Sequence, residues 1–297
     1  MTSAQVQKSS NPPPTEYQSA FDFIRSLAGE LSGGKVDLPS FPEVAVRVRR
    51  ILADPKSSVE QVVRVVGSEP ALAARLMRIA NSASLNRSGK VITELRTAIS
   101  RIGYNMVRSA SISFAMAQIR NSNKLAGLEH YLQDVWQRST KVAAFAYVLA
   151  KVCTRSRINP DEAMLTGMMH GIGKLYVITR SAAHPELFAN TAVLDEILEQ
   201  WHPSIGKAIL ENWEFSEPMA QAVGEQNELD RAEPEIADLS DVLAIAVLMA
   251  QHGESELEQV VAGLHATLRL GLNEARMTNV LKDSAKEISA LSEALGA

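Results

Sequence analysis

Between Glu43 and Gln251 the chain is punctuated by helix starts and helix stops, and this leaves little room for anything but a helical fold. Ser58-Val-Glu-Gln61 has the spacing of a capping box, in which a hydroxyl and a glutamine three residues later each satisfy a free backbone N–H. Pro70 is placed to open a helix over Ala71–Ser82, with Leu72, Leu76 and Ile79 on one face. Asn159-Pro160 opens another that reaches His170. Gly33-Gly34, Gly67 and Gly103 stand where helices stop. No stretch keeps an apolar–polar alternation and no Asn-Gly or Asp-Gly pair marks a hairpin, so a sheet has no support.

The expected architecture is all-α with two packed lobes. Residues 1–14 are polar, end in Asn11-Pro-Pro-Pro14 and read as a flexible arm. An N-terminal helix follows within 15–34, capped by Thr15, and Leu38-Pro-Ser-Phe-Pro42 is an extended lead-in. Helices are expected at Glu43–Ala53, from Ser58 to near Gly67, at 94–102 and at Tyr104–Arg120. The polar stretch 121–127 is the boundary between lobes. A long helix from about His130 to Val152 begins the second lobe, and Gly171 and Gly173 break or bend the chain after His170. Further helices are expected at Ala192–Trp201, Pro203–Trp213, Pro218–Glu228 and Leu239–Gln251, with two shorter ones in a C-terminal extension over 252–297.

Composition narrows the function. A chain of 297 residues with 46% hydrophobic residues can bury a sizeable core. Its net charge of −4 provides no global basic field for nucleic acid or an anionic membrane. Cys153 is the only cysteine, so neither an intrachain disulfide nor a thiolate zinc cluster is available. The N-terminus has no apolar signal core, and no apolar run approaches the roughly 20 residues of a membrane span. A cytoplasmic location is expected.

Four segments together resemble the HDOD family, the HD-related output domain of bacterial signalling proteins. They are Leu38-Pro-Ser-Phe-Pro-Glu-Val44, Glu69-Pro-Ala-Leu72 running into Leu76-Met-Arg-Ile-Ala-Asn-Ser82, Ala98-Ile-Ser-Arg-Ile-Gly103, and Gly167-Met-Met-His-Gly-Ile-Gly-Lys-Leu175. In this order they place an HDOD domain over 38–251. The resemblance implies an all-helical domain with an HD-like C-terminal lobe, without demonstrated enzymatic activity, in pathways that touch cyclic-di-GMP, motility or virulence. The chain departs from the family at Glu69, where an aspartate is usual, which weakens a capping role there.

The resemblance also locates what is missing. HD phosphohydrolases hold divalent metals with histidines and aspartates, and His170-Gly171 stands where they carry His-Asp. Arg138 falls at the first histidine of that pattern, and a permanent cation there repels a metal. Gly224-Glu-Gln-Asn227 replaces a double histidine and Val247 the terminal aspartate, which leaves His170, His202 and Glu225 as the residual metal set, if any. His170 also reads as a helix-end histidine bonded to nearby backbone, and His202 as a surface residue before Pro203. Glu199 and His202 share the Glu-x-x-His spacing of di-iron proteins, but no second such motif exists and a solvated face accounts for them.

Other motifs fail on spacing. Gly167 to Gly173 encloses five residues rather than four, and Leu175 replaces the Ser or Thr of a phosphate loop. There is no His-Glu-x-x-His and no Gly-x-Ser-x-Gly. Arginines from Arg47 to Arg108 make the first lobe basic, either as solvated helix faces or as a dock for an acidic or phosphate-bearing partner.

The expectation is a catalytically inactive regulatory module with no cofactor, acting through a signalling protein or a nucleotide- or phosphate-bearing ligand. Arg138, His170, Lys174 and His202 are the binding candidates, with arginine and lysine answering a phosphate where an enzyme would bind metal and phosphate. The alternative is a divergent metal-dependent phosphohydrolase using His170, His202 and Glu225. A DNA-contacting factor ranks last, since no helix-turn-helix is apparent and the charge is negative.

Overall fold

Helix caps set the architecture. In this computed structural model Ser58 accepts from the Gln61 N–H while the Gln61 side chain accepts from the Ser58 N–H, so the capping box forms. Asn159 accepts from the N–H groups of Asp161 and Glu162 ahead of a helix that Pro160 opens. Asp238 and Asp241 make a second box. Glu69 makes no side-chain cap bond.

The described residues are 16–33, 43–54, 56–82, 86, 89–120, 127–153, 158–184, 191–231, 235–252, 260–261 and 263–295. Among them there is no strand. The helices are α1 Glu16–Ser32, α2 Glu43–Ala53, α3 Val59–Gly67, α4 Pro70–Asn81, α5 Leu95–Arg120, α6 Glu129–Val152, α7 Pro160–Met169, α8 Ile172–Ser181, α9 Thr191–Asn212, α10 Glu217–Gly224, α11 Leu239–Gln251, α12 His265–Arg269 and α13 Glu274–Leu295. The expected arm over 1–14, the Thr15 cap, the lead-in at 38–42 and most of the 121–127 boundary lie outside the described residues.

α2, α3 and α4 pack around α5 as one lobe. α6, α7, α8, α9, α10 and α11 form the other, and α5 joins them by packing on α6 and α7. α1 lies on α9, while α13 runs along α6 and reaches α4. Buried residues from both lobes form one hydrophobic cluster, and Met106, Met116, Met164, Met168, Met169, Met219 and Met249 all belong to it. These methionines are core filler rather than a docking surface.

Gly103 sits inside α5 with φ 77° and ψ 165°, a conformation essentially restricted to glycine. It divides the element into the two helices that the sequence suggests. Asn81 ends α4 by donating to the carbonyls of Met77 and Ile92 and accepting from the Ile92 N–H at 2.8 Å. That clips the end of α4 to the approach of α5.

Three expectations need correction. The chain does not merely bend after His170, because Gly171 caps α8, which holds Gly173 inside it. The pair Ala192–Trp201 and Pro203–Trp213 is a single helix, α9, with Pro203 in its interior. The C-terminal extension ends in a helix of 22 residues, not a short one.

Candidate functional site

α6, the end of α7, α8 and α9 bring Arg138, His170, Lys174 and His202 within electrostatic reach of one another. His170 is the C-cap of α7 and is 4% exposed. Its Nδ1 donates to the Gly167 carbonyl at 2.7 Å, which leaves Nε2 as the free nitrogen. His202 is also 4% exposed, and its Nδ1 meets the Leu198 carbonyl at 2.6 Å. The surface position expected for His202 is therefore wrong. Its side of α9 faces α8, where Gly173 allows the two backbones to close.

Burial holds both rings neutral. It pushes His170 down to about 3, against the bond to Gly167, and the charges of Lys174 and Arg138, like any proton on His202, push the same way. Burial, then the charge of Lys174, pushes His202 down to about 4. At His170 the charges of Lys174 and Arg138 oppose a bound cation as they oppose a bound proton, while at His202 the Glu199 carboxylate works against Lys174.

Both cations already have carboxylate company. The Lys174 ammonium, on a side chain 13% exposed, bonds to Glu199. Burial raises the Glu199 carboxyl, but the hydrogen bond and charge of Lys174 outweigh it and the net shift is downward. Arg138 lies 3.9 Å from Asp134. Lys174, Glu199 and Asp134, but not Arg138, line a cleft of about 140 Å³ between α6, α8 and α9, with Tyr131 and Asp195 as the rest of its polar lining. Tyr131 donates to Asp195 at 3.0 Å, and its hydroxyl is pushed up to about 12 by burial and then by that bond.

A Cβ on Gly171 would stand 3.0 Å from the Ser139 hydroxyl and 3.1 Å from a Val135 methyl. A Cβ on Gly173 would stand 2.0 Å from the His202 carbonyl oxygen, so α8 and α9 touch backbone to backbone there. Gln226 donates from Nε2 to the carbonyls of His170 and Val223. The Ser139 hydroxyl and Gln226 Oε1 are buried without a hydrogen-bond partner.

Glu225 does not join the histidines. Its carboxylate accepts from Gln221 and Ser240 and pairs with Arg231 at 3.2 Å. Among the described residues no three His, Cys, Asp or Glu side chains group as metal ligands, so His170, His202 and Glu225 do not form one set. Val247 is buried within α11. Cys153 is buried at the end of α6.

Sequence reasoning missed Ser139, Glu199 as the Lys174 partner, Gln226 and the Tyr131–Asp195 pair. It also missed the lock in which Arg269 grips the 1%-exposed Asp241 with two bonds while Arg231 holds Asp238. Only Glu199 carried a signal, its spacing to His202. Within the basic lobe, Arg47 bonds Ser68, Arg96 pairs with Glu60, and Arg108 bonds the Leu52 carbonyl, so several of its charges serve the fold. No described helix is long and apolar enough to cross a membrane.

Known proteins match this arrangement. A sequence profile described as the HDOD domain matches residues 38–229. A crystal structure from Shewanella amazonensis SB2B, of a protein named a candidate metal-dependent phosphohydrolase, is 27% identical with a TM-score of 0.70, covering 93% of this chain and 99% of that one. An HDOD domain protein from Geobacter sulfurreducens is 20% identical with a TM-score of 0.64, covering 93% and 99%. A candidate signal transduction protein from Marinobacter aquaeolei VT8 is 19% identical with a TM-score of 0.61, covering 95% of this chain and 67% of that one. A curated protein of Treponema pallidum is 21% identical over 258 residues, 82% of this chain. The chain spans about half the length of that relative, 48%.

Proposed function

The chain belongs to the HDOD domain family, and from that premise we propose that it is a non-catalytic regulatory module of bacterial signalling, which binds a ligand at the former metal site and passes its state to a protein partner. One observation carries this reading. Gly171 stands where the resemblance puts the metal-holding aspartate, and a Cβ there would crowd the Ser139 hydroxyl and a Val135 methyl. A divalent metal needs several hard ligands to bind and to acidify its water. Here two neutral histidines face Arg138 and Lys174 instead.

The ligand class follows from the same charges. Lys174 and Arg138 suit an anionic group such as a phosphate, with the Nε2 atoms of His170 and His202 completing the contact. Glu199 occupies Lys174 without ligand, so an incoming anion exchanges for that carboxylate. A nucleotide second messenger such as cyclic-di-GMP fits this chemistry, and the protein partner is a signalling or regulatory chain.

Elemental analysis after incubation with manganese and iron tests the reading. The expected result is no stoichiometric metal and no phosphohydrolase activity in its presence. Near-stoichiometric metal that disappears in His170→Ala would overturn it. The phosphohydrolase reading, towards which the name of the Shewanella structure points, would then replace it.

A further inference from the structure

The arginines of the first lobe are not alike. Arg47 and Arg96 are exposed, and they reach Ser68 and Glu60. Arg49 and Arg108 are half-buried, and Glu214 and Glu162 act on them through charge at a distance rather than through a hydrogen bond. Arg49 Nη1 and Arg108 Nε are sealed from solvent without a hydrogen-bond partner, and so is the Ser57 hydroxyl. Burial pushes both guanidinium groups below the usual arginine range, against the pull of Glu214 on one and Glu162 on the other.

These three atoms belong to one place, the end of α2. Arg49 lies about one turn before that end. The Arg108 guanidinium comes across from α5 and donates from Nη2 to the Leu52 carbonyl at 3.2 Å. Ser57 stands in the turn that follows α2, where its N–H donates to the Asp54 carbonyl at 3.0 Å. The second lobe faces the same place. The Arg49 guanidinium lies 5.2 Å from the ring of Trp213, just past the end of α9. Glu162, in the first turn of α7, accepts from the Ser216 hydroxyl at 2.9 Å.

The donors define what would satisfy them. A guanidinium only donates, and a buried cation without a paired counter-charge is costly. Two such cations with a hydroxyl beside them call for an acceptor with more than one negative charge. A phosphate group carries nearly two charges at neutral pH and offers oxygens in several directions, which guanidinium forks match. The carbonyl end of α2 opposes an anion through its dipole, but Arg108 already meets it at Leu52.

We propose that the end of α2 is an anion site at the junction of the lobes, where Arg49, Arg108 and Ser57 hold the phosphate group of a small molecule. A turn of each half-buried arginine side chain brings its sealed nitrogen to an anion arriving from the surface. The site is separate from His170, His202 and Lys174, and it stands whether or not those residues bind a ligand.

The test titrates inorganic phosphate, at constant ionic strength, into the full chain carrying Lys174→Ala, which removes the anion contact proposed at the histidines. Saturable binding with a Kd of about 1 mM or tighter is expected. Adding Arg49→Met should weaken it about tenfold or more, and acetate should not compete. A nucleoside monophosphate separates the sources: tighter binding than phosphate assigns the site to a nucleotide, and equal binding assigns it to the free anion. Binding of neither, or phosphate binding that Arg49→Met leaves unchanged, overturns the proposal. Nitrogen-15 spectra of the unaltered chain decide even where a variant does not fold. The Arg108 Nε–H resonance should shift as phosphate is added, and a resonance that stays in place throughout the titration would remove Arg108 from the site.

Discussion

Two histidines at one site are kept neutral by burial, and this ties stability to pH. The unfolded chain binds a proton at each ring below its ordinary value of 6.5, while the folded chain resists protonation down to about 3 at His170 and about 4 at His202. Over that window the unfolded state holds more protons, so stability rises with pH and is complete above 6.5. As pH falls from 6.5 towards 4, each histidine removes on the order of 1 kcal/mol per pH unit. Thermal melts at pH 7.5, 5.5 and 4.5 should therefore show a steep fall, and His170→Gln should flatten it. A pH-independent Tm across this range would contradict the buried, neutral assignment. The glycines of the same segment differ in kind. At Gly171 a methyl would meet side-chain atoms that can turn aside, whereas at Gly173 it would meet the His202 carbonyl and the Gly206 N–H. Gly173→Ala should cost about 3 kcal/mol or more and Gly171→Ala about 1 kcal/mol. Urea midpoints in the reverse order would show that α8 and α9 are not packed backbone to backbone. Resemblance picks out Gly171 from sequence, but the tighter position at Gly173 depends on a residue of another helix and has no local signature.

At the level of helices, what the sequence discloses is what local chemistry decides. The Ser58–Gln61 box, the Asn159-Pro160 start and the stop at Gly103 each satisfy or break backbone bonds within a few residues, and each stands where the sequence puts it. Pro203 misleads for a physical reason. Proline removes an N–H from the helix ladder and leaves the Glu199 carbonyl without its usual donor. The His202 ring lies against the Leu198 and Glu199 carbonyls, so α9 continues through the proline. α8 goes unseen because two glycines near its start read as a break, although one of them is there for packing. Gly103 supplies the prediction at this scale. Its φ of 77° with ψ of 165° is disfavoured for any residue with a Cβ by about 1 to 3 kcal/mol. Open space surrounds the position, so backbone conformation alone is at issue. Gly103→Ala should lower the denaturant midpoint by that amount without altering the m-value. A neutral substitution would mean that α5 runs straight through residue 103.

For the whole molecule, the sequence discloses composition and order but not closure. It separates two lobes at the polar stretch after α5, yet buried residues from Phe23 of α1 to Leu295 of α13 form one cluster. α5 belongs to the first lobe by its packing on α2, α3 and α4, and reaches the second through α6 and α7. The pairs that close the molecule are far apart in the chain: Glu30 with Tyr176, Lys151 with Glu287, Arg75 with Leu295, and Arg269 with Asp241. No local pattern announces any of them, and the candidate site has the same character, since Ser139, Lys174, Glu199 and Gln226 meet only after α6 to α10 have packed. A shared core implies that neither lobe keeps its packing once the other is lost. Heat unfolding followed by far-ultraviolet circular dichroism and by tryptophan fluorescence should therefore give coincident transitions. Trp136 sits in α6 against Arg75 of the first lobe, so its emission reports the junction itself. A fluorescence change well below the loss of helix would show that the lobes part before they melt.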